Sequence, residues 1–259
     1  MIEIERIEQP LLTGLTVVVA MHKPYCTPKD AVYLPVQAGA ALHAPVGCTC
    51  DNVGENISEQ NGQYCELTAL YWAWKNHPSA ALGLAHYRRY LAPSRSVRRA
   101  ATGEELNTLL EKQPILLPRK RHYWIETNRS QFEHAHGAQG LRTLHEVLQS
   151  RYPTYVPAFE RTLRQTSGHR FNIFVMRRDL CDAYCAWLFD VLFSAEQALK
   201  NESALTPRMM GFLAERLLDC WLETNRYSYL ELPVYNTESQ HWPRKIAQFL
   251  LRKFRRGKV

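Results

Sequence analysis

The sequence predicts an α/β fold with a mainly parallel central sheet flanked by helices. Short apolar runs rich in β-branched residues alternate with longer amphipathic segments along most of the chain. In such an order the helices connect parallel strands and cover both faces of the sheet. The length of 259 residues is enough for one large domain of this kind with a buried core.

Each predicted strand is a short apolar run that ends at polar or turn-forming residues. The first run is rich in valine and is followed by His22 and Lys23. The third passes directly into His86. Strands are predicted at residues 15–21, 31–37, 81–85, 114–118 and 171–176.

The predicted helices are longer segments in which apolar residues recur every three or four positions. Pro78 ends the first of them, because proline cannot continue a helix. Helices are predicted at residues 62–77, 104–112, 141–151, 155–165, 179–199 and 208–225, with a further helical stretch after residue 130.

Composition places the chain among globular proteins. Apolar residues make up 46% and charged residues 22% of the sequence, which is ordinary usage and excludes a disordered chain. No apolar run approaches the roughly 18 residues that a membrane-spanning helix needs. Glu3 and Glu5 precede the first apolar segment, where a secretory signal would have basic residues. The sequence therefore predicts a cytoplasmic protein.

The net charge of +7 comes from the last 18 residues. Residues 242–259 contain seven Lys or Arg and no acidic residue, which leaves 25 basic and 25 acidic residues elsewhere. Ile246, Phe249, Leu250 and Phe254 fall on one face of a helical projection. This pattern predicts a basic amphipathic helix on an anionic membrane surface. The alternative is a helix docked on the body, with solvated cations. We predict a domain at residues 1–241, a tail at 242–259, and no nucleic-acid partner.

The third strand leads into His86, Tyr87, Arg88 and Arg89. In open α/β sheets, ligands bind beyond the carboxyl ends of the strands. A guanidinium presents a planar set of donors that matches phosphate oxygens. The two adjacent arginines therefore predict a diphosphate site. Alternatively, one of them forms a structural salt bridge, because neighbouring strand residues face opposite ways.

Six blocks of the sequence, in order, resemble the signature of a known family. They are residues 51–58 (Asp-Asn-Val-Gly-Glu-Asn-Ile-Ser), 64–76, 86–90 (His-Tyr-Arg-Arg-Tyr), 123–127, 171–176 and 211–222. The family is that of bacterial capsular polysaccharide and exopolysaccharide glycosyltransferases catalogued as domain of unknown function 4422. The resemblance covers residues from about 15 to 235. Val53, Glu55 and Ala214 depart from its usual residues.

The resemblance implies a GT-A-like, nucleotide-sugar-dependent glycosyltransferase. Such an enzyme would move a hexosyl unit, for example galactosyl, from a nucleoside diphosphate sugar such as a UDP-sugar. The acceptor would be a lipid-linked precursor of O-antigen, capsule or exopolysaccharide, at the inner face of the cytoplasmic membrane. A non-catalytic glycan- or nucleotide-binding protein of the same fold is the alternative.

GT-A enzymes commonly hold a divalent metal with an Asp-x-Asp motif at the end of a central strand. In this chain the corresponding place is taken by the segment from His86 to Arg89. We therefore expect Arg88 and Arg89 to stabilise some or all of the charge of the departing diphosphate. No metal ligands are assigned, and metal dependence is left open.

The candidate site residues are polar groups in these blocks and around the strand ends. The predicted catalytic residues are Asp51, His86, Arg88, Arg89 and Glu215. The predicted donor-binding residues are His22, Lys23, Asn52, Asn56, Tyr87 and Asn172. The predicted acceptor-binding residues are His122, Tyr123, His134, His136 and His169.

Several of these assignments have structural alternatives. Asp51 is a candidate base in a polar loop, or else it builds the turn with Asn52. Glu215 is a catalytic carboxylate on an apolar helix, or the partner of a buried arginine. His134 and His136 point in different directions on a helix, which argues against a shared metal. For Glu66 we favour a structural role, buried against an arginine, over a catalytic one.

Overall fold

The structure, a computed structural model, describes residues 14–123 and 125–238. The predicted tail at 242–259 and the domain boundary at residue 241 lie outside the described residues. Within the described ranges, no helix is both long enough and apolar enough to cross a bilayer.

The described chain alternates between strands and helices, as the sequence predicts. The strands are β1 (Leu15–Met21), β2 (Tyr33–Gln37), β3 (Thr49–Cys50), β4 (Ala81–His86), β5 (Arg89–Leu91), β6 (Ile115–Pro118), β7 (Arg121–His122), β8 (Ser167–Gly168), β9 (Phe174–Arg177), β10 (Leu230–Leu232) and β11 (Val234–Asn236). The helices are α1 (Asn61–Tyr64), α2 (Leu67–Asn76), α3 (Gly103–Lys112), α4 (Asn128–His136), α5 (Gln139–Arg151), α6 (Val156–Arg164), α7 (Arg178–Asn201) and α8 (Met209–Asn225).

The central sheet has the strand order β10-β6-β9-β4-β1-β2-β3. Neighbouring strands on this path are parallel except at β9, which is antiparallel to both β4 and β6. β5 turns back from β4 and pairs with β11. The predicted α/β class with a mostly parallel sheet is confirmed. The strands β1, β2, β3, β4, β6 and β10 end at one edge, which we call the carboxyl edge, and β9 begins there.

Each face of the sheet is buried by a different layer. Val18 and Ala20 of β1 belong to the larger core, which includes residues of α2, α7 and α8. Val17 and Val19 point the opposite way, as alternate strand residues must. They belong to a second core that includes residues of α3 and β5. The sheet is thus covered on both sides, and its carboxyl edge is left for a ligand.

Two predicted elements are interrupted at the carboxyl edge. The helix predicted at 62–77 is divided at Cys65, whose φ is 52°. The strand predicted at 171–176 begins only at Phe174, because Phe171 and Asn172 have φ of 76° and 54°. Each non-glycine residue in the left-handed region costs about 1–2 kcal/mol. Such strain persists where surrounding contacts enforce it, and it is concentrated at functional sites.

Candidate active site

His86, the last residue of β4, lies within a group of basic side chains. It is half-buried. Burial first, and then the nearby charges of Arg89, Arg88, His22 and Arg208, together lower its pKa to about 3. His86 is therefore neutral at pH 7. The carboxyl end of β4 is a place of positive potential that suits an anion.

Three of the predicted donor-binding residues meet beside Arg88. Tyr87 is fully buried, and its hydroxyl is 3.4 Å from Nε2 of His22. Nζ of Lys23 is 5.6 Å from the centroid of the Tyr87 ring, and the guanidinium carbon of Arg88 is 5.0 Å from it. Burial and the charges of Arg88 and Lys23 lower the pKa of His22. Residues that follow β1 and β4 thus form one basic surface.

The two adjacent arginines have different surroundings. Nη1 of Arg88 is 3.4 Å from Oε2 of Glu238, and both side chains are more than one-third exposed. Arg89 packs instead with its guanidinium carbon 4.5 Å from the centroid of the Phe171 ring. In the described ranges no carboxylate lies within 4.0 Å of the Arg89 nitrogens. Arg89 therefore keeps donors available at this edge, while the salt-bridge alternative applies to Arg88.

Glu66 faces the same edge from the start of α2. Its Oε1 accepts a hydrogen bond from Nδ2 of Asn172 at 2.8 Å. Asn172 also donates to the carbonyl of Gly211 at 3.2 Å. Burial raises the pKa of Glu66, and the nearby Glu215 adds to this, while the Asn172 hydrogen bond opposes it. Glu66 is thus a site candidate. The sequence favoured a structural role, because it does not show the interruption of the helix at Cys65 that determines the position of Glu66.

Glu215 holds the strained backbone at the start of β9. Its Oε1 accepts a hydrogen bond from the Phe171 backbone at 3.0 Å. Its Oε2 is 3.4 Å from Nη1 of Arg216, a nearly buried arginine. The alternative given for Glu215, the partner of a buried arginine, is therefore found. Through Phe171, Glu215 also supports the position of Arg89.

Arg208 is a site residue that the sequence analysis missed. It lies immediately before α8 with a φ of 64°. Its Nε is 3.4 Å from Sγ of Cys65. Its charge affects the pKa of both His86 and Glu66. The sequence predicts only the start of a helix at this position. The left-handed backbone conformation that orients the Arg208 side chain depends on tertiary contacts.

Asp51 builds its loop and is not placed for catalysis. It is fully buried. Its two carboxylate oxygens accept hydrogen bonds from the backbone of Gly39 at 2.8 Å and Ala40 at 2.9 Å. Ser58 donates a further one at 2.5 Å. Gly39 has a φ of +72°, and a Cβ there would come within 2.6 Å of Asn61. These contacts support the turn-building alternative over the predicted catalytic role.

The loop that carries Asn52 and Asn56 leads away from the carboxyl edge. Asn52 is exposed, and Asn56 hydrogen-bonds to the backbone of its own loop. Asn76, the last residue of α2, donates to the same loop at 2.7 Å. The next residue, His77, is 3.0 Å from Thr16 near the start of β1, which is the opposite edge of the sheet. The predicted donor contacts of Asn52 and Asn56 do not fit this position.

The two histidines of α4 diverge as their spacing predicts. Nδ1 of His134 is 2.7 Å from Oε1 of Glu126, and the His134 side chain is exposed. The ring of His136 stacks on Phe212 with centroids 4.0 Å apart. The guanidinium of Arg208 lies 5.2 Å from that same Phe212 ring. His136 therefore adjoins the basic group, whereas His134 is directed elsewhere.

His169 and Tyr123 belong to a buried hydrogen-bond network. His169 is 1% exposed, with Nδ1 2.5 Å from Asp219 and Nε2 3.2 Å from Glu231. The Tyr123 hydroxyl accepts a hydrogen bond from Nε of Arg170 at 3.1 Å. The burial of His169 between Asp219 and Glu231 favours a structural role over the predicted direct contact with the acceptor.

His122 is the predicted acceptor residue that lines a cavity. The cavity has a volume of about 530 Å³ and is lined by Arg95, Arg119, Lys120, His122, Leu230 and Glu231. A second cavity of about 350 Å³ lies under the loop after β1 and includes Tyr33, Tyr90 and Tyr235. Arg88 and Arg89 line neither of these two cavities. In the part of the chain that is described, no cluster of three or more His, Cys, Asp or Glu could hold a metal ion.

Sequence and structure comparisons identify the relatives of this chain. A family model described as a domain of unknown function, DUF4422, matches residues 16–226. The chain belongs to this family. The DUF4422 match includes β4, the two arginines after it, and the whole of α8, so the predicted family is confirmed. A comparison with curated proteins finds no significant match.

The DUF4422 chain is also similar to a solved glycosyltransferase. The structure is described as the apo form of the bifunctional glycosyltransferase WbbM. The TM-score is 0.78 at 25% identity, over 88% of this chain and 46% of that one. The chain thus spans about half the length of that protein. This similarity agrees with the glycosyltransferase fold that the sequence resemblance implies.

Proposed function

We propose that this DUF4422 chain is a glycosyltransferase that binds a nucleoside diphosphate sugar at the carboxyl edge of its sheet. Family membership and the similarity to a glycosyltransferase support the reaction class. The observation that carries the proposal is the availability of Arg89, which is fixed by Phe171 and has no carboxylate within 4.0 Å among the described residues.

The basic group suits the charge that develops when a glycosidic bond to a diphosphate breaks. Lys23, Arg88, Arg89 and Arg208 bring four cations to the edge, where Glu66 and Glu215 provide two carboxylates. Donors already in place stabilise developing charge without reorganisation. Arginine forks in particular match phosphate oxygens. We assign contact with the diphosphate to Arg89 first and to Arg88 second.

Glu66 is the proposed acid–base residue. A carboxyl group works best in proton transfer when its pKa approaches the working pH, and burial raises that of Glu66. Asn172 fixes one of its oxygens, which leaves the other for a substrate hydroxyl. Neutral His86 can accept a hydrogen bond in the same place. Asp51 takes no part, because its carboxylate already has three donors.

The substrates are proposed from the resemblance of the sequence blocks. The donor would be a UDP-hexose such as UDP-galactose, and the acceptor a lipid-linked precursor of a surface polysaccharide. Thermal stabilisation by a panel of nucleotide sugars, with Mn²⁺ or with a chelator, would identify the donor and its metal requirement. A ligand at 100 times its Kd stabilises the folded state by about 2.7 kcal/mol. Stabilisation without transfer or hydrolysis would favour the non-catalytic alternative.

Arg89→Gln tests the phosphate role directly. We expect kcat/KM for the donor to fall at least about 100-fold, since an oriented donor to the leaving group contributes on the order of 3 kcal/mol. Arg177→Gln is the matched control, because Arg177 is an exposed cation at the end of β9 away from the carboxyl edge. Unchanged kcat/KM in folded Arg89→Gln would refute the assignment.

Membrane attachment through residues 242–259 is part of the proposal. Glu238, which precedes this segment in the sequence, contacts Arg88. Each cation near an anionic surface contributes about 1 kcal/mol, and a lipid-linked acceptor lies at such a surface. Deletion of 242–259 should abolish binding to phosphatidylglycerol vesicles and leave donor affinity unchanged. Retained vesicle binding, or salt-dependent DNA binding lost on deletion, would contradict this role.

A further inference from the structure

The cavity that contains His122 has an excess of positive charge. Arg95, Arg119 and Lys120 contribute three cations to its wall, and Glu231 contributes one carboxylate. Arg119 follows β6 directly, and its backbone N–H donates to the carbonyl of Leu232 at 2.9 Å. The end of β6 is thus anchored to β10, and Arg119 and Lys120 follow directly from it, whereas Arg95 lies in the loop between β5 and α3.

The carboxylates near this cavity are occupied by other partners. Asp219 pairs with His169 and lies 3.8 Å from Nη1 of Arg170. Within the described ranges, Arg95, Arg119 and Lys120 have no carboxylate within 4.0 Å. Cations without a carboxylate partner, gathered around one concave surface, suit a ligand with more than one negative charge.

Glu231 is drawn to the wall of the cavity by His169. The two side chains are 3.2 Å apart, and the other nitrogen of His169 is 2.5 Å from Asp219. His169 is buried, so this contact fixes the Glu231 carboxylate on one side. The remaining Glu231 oxygen can accept a hydrogen bond from a sugar hydroxyl, while the three cations face an anion.

The cavity adjoins the donor site without being part of it. Arg121, the residue after Lys120, is close enough to Arg89 for its charge to lower the pKa of Arg89. The segment after β6 therefore contributes cations both to the cavity and to the surroundings of Arg89. A ligand with its anionic end in the cavity could direct its glycan end to the Arg89 side.

We propose that this basic cavity binds a phosphate group of the glycan acceptor, separately from the donor diphosphate. The inference rests on the proposed function, because it assigns the cavity to the acceptor of that reaction. The recognised chemistry is the phosphate or diphosphate that links the acceptor sugar to its lipid. Anionic membrane lipids carry related chemistry and are distinguished from it in the experiment.

The test uses the full chain and inorganic pyrophosphate as the probe, with UDP at saturation to block the donor site. Arg119→Gln/Lys120→Gln should weaken pyrophosphate binding at least tenfold by titration calorimetry, and UDP affinity should stay within twofold. Arg98→Gln is the matched control, because Arg98 is an exposed cation near Arg95 that does not line the cavity. Lys120→Gln alone, with an expected threefold or greater loss, replaces the double variant if that does not fold.

Three outcomes would overturn the inference. One is unchanged pyrophosphate binding in the folded variant. Another is a parallel loss of UDP affinity, which would assign the cavity to the donor. In the third, the wild type does not bind pyrophosphate, and the variant loses binding to phosphatidylglycerol vesicles. That result would assign the cavity to the membrane. Failure of the proposed function would be recognised separately, since the wild type would then not bind UDP or any nucleotide sugar.

Discussion

Asn172 donates a hydrogen bond from Nδ2 to Oε1 of Glu66 at 2.8 Å. This contact connects two places where a predicted helix or strand is interrupted. Glu66 follows Cys65, where the predicted helix is divided, and Asn172 follows Phe171, where the predicted strand has not yet begun. The contact holds the start of α2 beside the start of β9. It thereby fixes a carboxylate next to the basic group at the carboxyl edge.

Asn172→Ala should destabilise the protein by about 2–4 kcal/mol. It removes the partner of a buried carboxylate and places alanine in the left-handed region. Asn172→Gly should cost less, because glycine adopts this φ freely. Urea denaturation measures both free energies of unfolding. A larger loss in the glycine variant would show that backbone conformation contributes little here.

Asp51→Ala should lower the free energy of unfolding by at least about 2 kcal/mol, because the backbone N–H groups of Gly39 and Ala40 would lose their acceptor. Ser58→Ala, which removes one donor to the same carboxylate, should cost about 1 kcal/mol. Both are measured by urea denaturation. For folded Asp51→Ala we expect little change in kcat, and a loss of several hundredfold at full stability would restore the catalytic assignment.

The stability of the protein should depend on His86 below neutral pH. The pKa of His86 falls from its ordinary 6.5 to about 3 in the folded state. Between these values the unfolded chain binds a proton that the folded chain does not, so the free energy of unfolding decreases as pH falls. His86→Asn should flatten this slope from pH 6.5 toward pH 3. If thermal or urea unfolding gave the same pH dependence for the wild type and for His86→Asn, the pKa of His86 would not be lowered in the folded state.

Glu238→Gln should strengthen UDP binding by about two- to fivefold. Glu238 is 3.4 Å from Arg88, and such exposed pairs contribute about 0.2–1 kcal/mol, which a diphosphate must replace. Glu223→Gln is the control, since Glu223 pairs with Arg161 away from the site. Titration calorimetry at low salt measures the effect. Weaker binding in Glu238→Gln would mean that Glu238 contacts the nucleotide or orients Arg88 for it.

Four of the predicted site residues lie close together in the structure. His22 and Lys23 follow β1, Tyr87 and Arg88 follow β4, and the four side chains lie together. This agreement has a simple reason, since parallel neighbours in a sheet end at the same edge. The position of Arg89 follows from the same rule.

Other predicted roles depend on the direction in which a loop runs and on which side chains are buried. Asn52 and Asn56 stand in the same motif as Asp51, yet their loop runs along α2 to the opposite edge. The sequence predicts that His169 binds the acceptor, but in the structure it is enclosed between Asp219 and Glu231. A motif shows that residues are near in the chain, not that they face one ligand.

By itself the sequence determined the α/β class, the family and the basic strand ends, because hydrophobic periodicity and local motifs are properties of consecutive residues. Only the tertiary structure decided that Glu66 and Arg208 face the site. Both depend on left-handed backbone at or beside them, at Cys65 and at Arg208 itself. Contacts between distant segments stabilise that conformation, and no local preference of cysteine or arginine predicts it.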